Sequence, residues 1–178
     1  RAEEALGRAE LLRSGVVGRH APATAALAFT ILANVAVGVV TATGLVVVVS
    51  ELGPLGASVL GLSLAAAGIA FAGIAIIVVQ LTEQARTANS IGMAVLAVAF
   101  VLRAVGDAGG PHDRALAWLS PLGWVQSTRA FVDERVWPLG LVVLLLIVAV
   151  IVANVLAERR DLGSGVLPPR PGSAHAQP

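Results

Sequence analysis

The chain has 178 residues, of which 57% are hydrophobic and 13% are charged, and its mean hydropathy is +0.86. Soluble domains carry about 25% charged residues, so this composition excludes an ordinary water-soluble domain and indicates a protein that lies in lipid. The 12 basic residues, all of them arginine, nearly balance 11 acidic ones. They lie at the ends of apolar runs, which excludes the basic stripe of a nucleic-acid-binding protein.

The first 19 residues predict an amphipathic helix. Ala5, Ala9 and Leu12 share one face, while Glu4 and Arg8 have the i,i+4 spacing that favours an ion pair. Such a helix, placed just before a span, could lie on lipid or dock a partner. Lipid-anchoring helices have a strongly basic polar face, whereas acidic residues offset the arginines here, so a protein partner is the favoured interpretation.

Four runs with few or no charged residues predict four membrane-spanning helices in an all-α bundle. A span needs about 20 mainly apolar residues. The third run reaches that length only if it continues past Arg103, with the guanidinium group extending to the lipid headgroups. Some runs are rich in β-branched residues, but a lone strand would leave its amides unpaired in lipid, so helix is predicted. The expected spans lie near residues 23–49, 54–80, 88–105 and 136–157, within a transmembrane region 20–160.

The second span contains small residues at four-residue spacing, which lets two helices pack closely. The expected packing residues are Gly61, Ala65, Gly68 and Ala72, although an Ala- and Gly-rich helix also shows this spacing by chance. Polar residues on the first span could line a polar path, but hydrogen bonds between helices are the favoured interpretation. These polar residues are Thr30, Asn34, Thr41 and Thr43.

Residues 106–135 form the longest polar segment between two spans. Together with Trp137 they contain all three tryptophans, a residue type that prefers the headgroup level. We therefore expect short helices folded against the outer surface, with a break at residues 120–123. An interfacial aromatic belt is one interpretation, and a lid or exit gate is the other. The gate hypothesis involves Ser120, Pro121, Gly123 and Trp124.

Catalytic and metal-binding patterns are missing from the sequence. The three histidines are far apart, cysteine is absent, and a chain without lysine cannot contain the GK[ST] ending of a phosphate-binding loop. Asp107 and Asp113 could form structural pairs with Arg103 and Arg114. We therefore predict neither an enzyme nor a cofactor or metal site.

The distribution of arginine predicts the orientation. Eight arginines lie in the segments on the side of the N-terminus and four on the other side, which predicts that both ends of the chain are cytoplasmic. The first residue is Arg1 and the only methionine is Met93, so we expect a fragment of a longer protein. Residues 161–178 would be a Pro- and Gly-rich cytoplasmic tail or linker.

Four motifs occur in chain order: EEALGRAELLRSGVVGR before the first span, LRAVGD at the end of the third, WLSPLGWVQSTRAF in the outer segment, and ERRDLGSGVLPPRPG after the last span. With these motifs the chain resembles the permease subunit of type 2 ATP-binding-cassette (ABC) exporters, in particular the actinobacterial exporters of polyketide antibiotics. Members of the class have six spans per unit, and this group looks like two fused units. The four spans would then be spans three to six of one unit.

The resemblance implies a non-enzymatic subunit of a bacterial plasma membrane that moves a small, hydrophobic, antibiotic-like molecule out of the cell. A separate ABC-type ATPase would bind residues 1–19 as a coupling helix, and residues 106–135 would be a re-entrant outer segment. Two other functions stay open, half of an ion-coupled secondary transporter and a membrane anchor or assembly protein. The lack of acidic residues inside the expected spans argues against ion coupling. The expected coupling residues are Glu3, Glu4, Arg8, Glu10 and Arg13.

Overall fold

The computed structural model describes residues 21–49, 51–82, 84–109 and 114–160. Within these ranges, helices α1, α2, α3 and α6 are long and apolar enough to cross a membrane, and two short helices lie between α3 and α6. The all-α class and the four spans are thus confirmed, and each span ends within three residues of its expected limits. The expected coupling helix and tail lie outside the described residues. The helices are α1 (Ala21–Val48), α2 (Pro54–Leu81), α3 (Ala85–Ala108), α4 (Arg114–Ala117), α5 (Pro121–Gln126) and α6 (Leu139–Arg160).

Helix α2 lies at the centre of the bundle. It packs against α1, α3, α5 and α6, whereas α1 contacts α2 alone among the described helices. The buried positions of α2 are Gly, Ala or Ser, with Val59 and Val78 as the exceptions. Small side chains let several helices approach one helix closely, and this close approach supplies the van der Waals contact that holds spans together in lipid.

Helix α3 continues three residues past the expected end of the third span. Arg103 and Asp107 form an i,i+4 ion pair, and the Gly109 N–H group donates to the Val105 carbonyl (3.1 Å) to close the last turn. Asp107 therefore lies in the last turn of α3, and not in the following loop as the sequence suggested. The i,i+4 pairing explains why the helix extends beyond the apolar run.

Helix α6 begins three residues later than the apolar run predicts. The Leu139 N–H group donates to the Val136 carbonyl (3.1 Å), so residues 136–138 form a turn. Pro138, which is buried, has a fixed φ angle and no N–H group, and it stands immediately before the first helical residue. This position suits proline, because the amide groups at the start of a helix have no partner in the helix.

The segment that contains α4 and α5, residues 114–126, is a helical hairpin inserted between the spans. The tryptophans predicted short helices folded against the outer surface, while the resemblance implied a re-entrant segment. In the structure α4 contacts α3, and α5 contacts α2, α3 and α6, so the hairpin is not confined to the surface. Val125 of α5 is buried in a cluster with Ala66, Ala70 and Val142. The insertion is favourable because α5 has no charged residue and meets small side chains on α2.

Candidate functional site, a hairpin inserted between the spans

Two hydrogen bonds between distant residues show how deeply the hairpin region enters the bundle. Ser120 bonds to Ala99 of α3, and Thr128 bonds to Ser63 of α2. Each of these partners is nine residues from the end of its helix, which is about 14 Å at a rise of about 1.5 Å per residue. The region from Ser120 to Thr128 therefore packs against α2 and α3 well inside the ends of both helices.

Ser120 fixes the break between α4 and α5. Its side chain is fully buried, and its hydroxyl group donates to the Ala99 carbonyl at 2.8 Å. The same oxygen accepts a bond from the Leu122 N–H group at 3.2 Å, so Ser120 is also the N-cap of α5. Pro121 occupies the first position of the helix, where its fixed φ angle is favourable. One residue thus ends the loop, starts α5 and attaches the hairpin to α3.

Ala117 lies between two glycines that allow backbone contact. A Cβ atom on Gly106 of α3 would lie 2.7 Å from the Ala117 nitrogen, and one on Gly123 of α5 would overlap the Ala117 carbonyl group. Any larger residue at either position would push the helices apart. The end of α4 is therefore clamped between α3 and α5 at a distance that only glycine permits.

The three tryptophans connect the hairpin to the last span. The Trp124 Nε1–H group donates to the Trp118 carbonyl at 2.6 Å. The Trp118 ring stacks on the Trp137 ring, with centroids 5.4 Å apart and an interplanar angle of 13°. Trp118 and Trp137 are exposed, while Trp124 is half-buried in the hairpin. Two rings are thus available to an interfacial belt, and the third takes part in the internal structure of the hairpin.

Two apolar grooves flank α5. One has a volume of about 490 Å³ and lies between α2 and residues 122–131, with Leu60 and Leu64 in its wall and Gln126 and Arg129 as polar neighbours. The other, of about 260 Å³, lies between α3, α5 and α6. Their mainly hydrophobic linings suit small apolar molecules.

All four expected packing residues face α1, and three of them lie at close contacts with it. A Cβ atom on Gly38 would be 2.5 Å from the Gly61 carbonyl oxygen and 3.0 Å from the Ala65 Cβ atom. Gly68 packs against the Asn34 side chain. Ala72 lies farther along α2, in a groove of about 220 Å³ between α1 and α2. The partner glycine on α1 was missed, although its four-residue spacing to a small residue, Ala42, was readable from the sequence.

The polar residues of α1 bond within their own helix. The hydroxyl groups of Thr30, Thr41 and Thr43 each donate to the carbonyl four residues earlier, at 2.8 Å. Asn34 donates in the same way to the Thr30 carbonyl (2.8 Å) while its side chain packs across the helix pair. The expected hydrogen bonds between helices are therefore replaced by bonds inside α1, because a threonine hydroxyl always has such a carbonyl within reach.

The structure does not describe the side chains of the remaining expected residues. The coupling residues at positions 3–13 and the partner pair Asp113 and Arg114 cannot be placed, because they lie outside the described residues or side chains. In the part of the chain that the structure covers, no three His, Cys, Asp or Glu residues converge as metal ligands would.

Comparison with known proteins gives this geometry a biological setting. No protein-family model matches the chain. Across all 178 residues it is 41% identical to the multidrug efflux system permease protein of Mycobacterium tuberculosis (strain ATCC 25618 / H37Rv), and it spans 32% of that protein's length. The resemblance to exporter permeases is thus confirmed: along its whole length the chain is related to about a third of a multidrug efflux permease.

Proposed function

We propose that the chain is part of the transmembrane subunit of an ATP-driven ABC exporter that moves a small hydrophobic molecule out of a bacterial cell. The observation that carries this proposal is the 41% identity, over every residue of the chain, to an efflux permease. The four spans and the apolar grooves beside α5 are consistent with it. ATP hydrolysis is assigned to a separate subunit, as the resemblance to ABC exporters implies, and these 178 residues contain no lysine for a phosphate-binding loop.

The positions of the acidic residues favour ATP over an ion gradient as the energy source. Carboxylates in the middle of the membrane are the usual sign of ion coupling. In the described parts of the four spans, Asp107 and Glu158 occupy the terminal turns of α3 and α6. Asp107 is already paired with Arg103. No described carboxylate lies at the depth where an ion-coupling site is expected.

The hairpin and the N-terminal segment take separate roles in this proposal. Residues 1–19 are assigned to the contact with the ATPase. Both ends of the chain are assigned to the cytoplasmic side. The hairpin, at the opposite end of the bundle, is assigned to an exit gate built around Ser120 and Trp124. Its position between three spans, with an apolar groove on each side, supports this role.

Transport into inside-out membrane vesicles tests the proposed function. The vesicles contain the full permease and an ABC-type ATPase from the same organism, and a hydrophobic fluorescent dye serves as the probe. The proposal expects dye uptake that requires ATP, is blocked by vanadate and survives ionophores that collapse ion gradients. Uptake driven by an imposed proton or sodium gradient without ATP would support a secondary transporter instead. Absence of uptake under both conditions would favour an anchor or assembly role.

A further inference from the structure

Two buried hydroxyl groups join α2 to the segment that follows α5. Ser63 Oγ and Thr128 Oγ1 lie 2.8 Å apart, and their residues are 7% and 2% exposed. Ser63 Oγ also lies 2.7 Å from the Val59 carbonyl oxygen, and Thr128 Oγ1 lies 2.7 Å from that of Val125. Each hydroxyl has one hydrogen, so two hydroxyls cannot supply the three hydrogens that these three contacts need. One contact always lacks its hydrogen.

This shortage makes the bond between Ser63 and Thr128 easy to release. When a buried hydrogen bond breaks in an apolar environment, its donor is usually left unpaired at a high energetic cost. Here each hydroxyl can donate to a carbonyl group of its own segment instead. Both donors therefore stay satisfied when the two residues separate. The bond thus holds Thr128 against α2 but can be broken at low energetic cost.

Residues 127–135, called the strap from here on, are held together by their own contacts. The Arg135 N–H group donates to the Thr128 carbonyl at 2.7 Å, and Asp133 pairs with both Arg129 and Arg135. The backbone is left-handed at three non-glycine residues, with φ angles of 50° at Arg129, 67° at Phe131 and 42° at Glu134. Such angles are unfavourable for L-residues, and strained backbone of this kind is found at active sites, ligand clamps and switch segments.

The strap borders the groove of about 490 Å³ beside α2, and the Phe131 ring covers Gly56 near the start of that helix. The hairpin is attached differently, because the Ser120 hydroxyl donates its one hydrogen to a carbonyl group of α3 and accepts a bond from the Leu122 N–H group. We propose that the strap is the moving part at this end of the bundle, with the Ser63–Thr128 bond as its latch, and that its release opens the groove. Its role in transport rests on the proposed exporter function.

A reversible cross-link tests the latch, because the chain has no cysteine of its own. The hydroxyl oxygens are close enough that Ser63→Cys with Thr128→Cys should close a disulfide on oxidation. The expected result is an export rate at least about 10-fold lower in the oxidised double variant, full recovery with a reductant, and no effect of oxidation on either single variant. Equal export by the oxidised and reduced forms would overturn the proposal.

A second cross-link controls for general stiffening of the bundle. A Cβ atom on Gly73 of α2 would lie 3.5 Å from the Ala149 Cβ atom of α6, so Gly73→Cys with Ala149→Cys offers a disulfide outside the strap. Oxidation of this pair should leave export unchanged. Equal loss of export from both cross-links would show that the strap has no special role, and the latch would be rejected.

Thiol labelling separates failure of the latch from failure of the exporter assignment. If even the unmodified permease does not export, the assignment fails, and the latch is decided by access of a membrane-impermeant thiol reagent to Thr128→Cys. The proposal expects complete labelling, slower than at the exposed Glu51→Cys, while Ala70→Cys, at a fully buried site, stays unlabelled. Protection at position 128 as complete as at position 70 would show that the strap does not open.

Discussion

Gly38 and Gly61 bring α1 and α2 into backbone contact, because a Cβ atom on either glycine would overlap the backbone of the other helix. Since α1 packs against no other described helix, this crossing and the neighbouring Asn34–Gly68 contact hold α1 in place. In lipid there is no hydrophobic force between spans, so the closeness of this packing determines how firmly α1 is attached.

The first prediction compares the same substitution at two glycines of α1. Gly38→Ala introduces a methyl group 2.5 Å from the Gly61 carbonyl oxygen, whereas a methyl group on Gly44 would meet no atom of a neighbouring helix within 4 Å. We expect Gly38→Ala to lower the free energy of unfolding by about 1–3 kcal/mol through overpacking. Gly44→Ala should raise it by up to about 1 kcal/mol through helix propensity.

Thermal unfolding of the detergent-solubilised protein, followed by size-exclusion chromatography, measures both variants. Because the two variants are expected to change the free energy of unfolding in opposite directions, the comparison does not depend on the stability of the unmodified protein. Equal stabilisation by the two changes would mean that α1 and α2 do not cross at these glycines.

A second prediction distinguishes the gate from the aromatic belt. Ser120→Ala removes the bond to Ala99 and the N-cap of α5, a loss of about 1–2 kcal/mol that loosens the hairpin. We expect export to fall while the amount of protein in the membrane stays close to normal. Ser58→Ala is the control, because the exposed Ser58 hydroxyl bonds only to the Pro54 carbonyl of its own helix among the contacts described for it.

The belt hypothesis predicts the reverse ranking. Trp118→Ala with Trp137→Ala removes the stacked, exposed ring pair and should then lower the amount of membrane-inserted protein, while Ser120→Ala does little. Efflux and protein level, measured together for the three variants, decide between the two interpretations.

The sequence predicts the spans well because their signal is local. Runs without charges are long enough to identify each helix. An ion pair changes the end of α3 at Asp107 and a proline changes the start of α6 at Pro138, while α3 also begins and α6 also ends three residues outside the expected limits. The depth of the hairpin is not local. It depends on contacts such as Ser63 with Thr128, which are 65 residues apart, and nothing in the residues around either one indicates its partner. The left-handed residues of the strap, such as Phe131, are also not the residue types that usually mark such turns.

A third prediction concerns the ion pair in α3. The Arg103 side chain is 17% exposed, and its Nε atom has no hydrogen-bond partner among the described residues, so its charge depends on Asp107. Asp107→Asn should lower the free energy of unfolding by about 1–3 kcal/mol because it leaves a mostly buried guanidinium group without its carboxylate. The double change Arg103→Leu with Asp107→Leu should cost less, since it removes both charges. A double variant less stable than Asp107→Asn in thermal unfolding would show that the pair itself stabilises α3.

The fourth prediction is the orientation of the bundle. Glu51 and Thr87 are exposed and lie beyond opposite ends of α2. In this chain without cysteine, Glu51→Cys should react with a membrane-impermeant thiol reagent added to whole cells, and Thr87→Cys should react only after the cells are opened. The reverse pattern would place both ends of the chain outside the cell and remove the basis for an ATPase contact on residues 1–19.

The last prediction tests that contact directly. If residues 1–19 form the coupling helix, Glu4→Arg with Arg13→Glu should weaken binding of the ATPase while leaving membrane insertion intact. Each exposed charge contributes about 0.2–1 kcal/mol, so single changes are too small to detect reliably. The double reversal should cost at most about 2 kcal/mol, which is roughly a 30-fold loss of affinity.

Glu51→Arg, a reversal on the opposite side of the membrane in the proposed orientation, is the control and should bind the ATPase normally. The measurement is co-purification of the ATPase with the full permease over a range of salt concentrations, because an electrostatic contact weakens as salt rises. Normal co-purification of the double variant at every salt concentration would remove the coupling role from this segment and leave the four spans without a known connection to the ATPase.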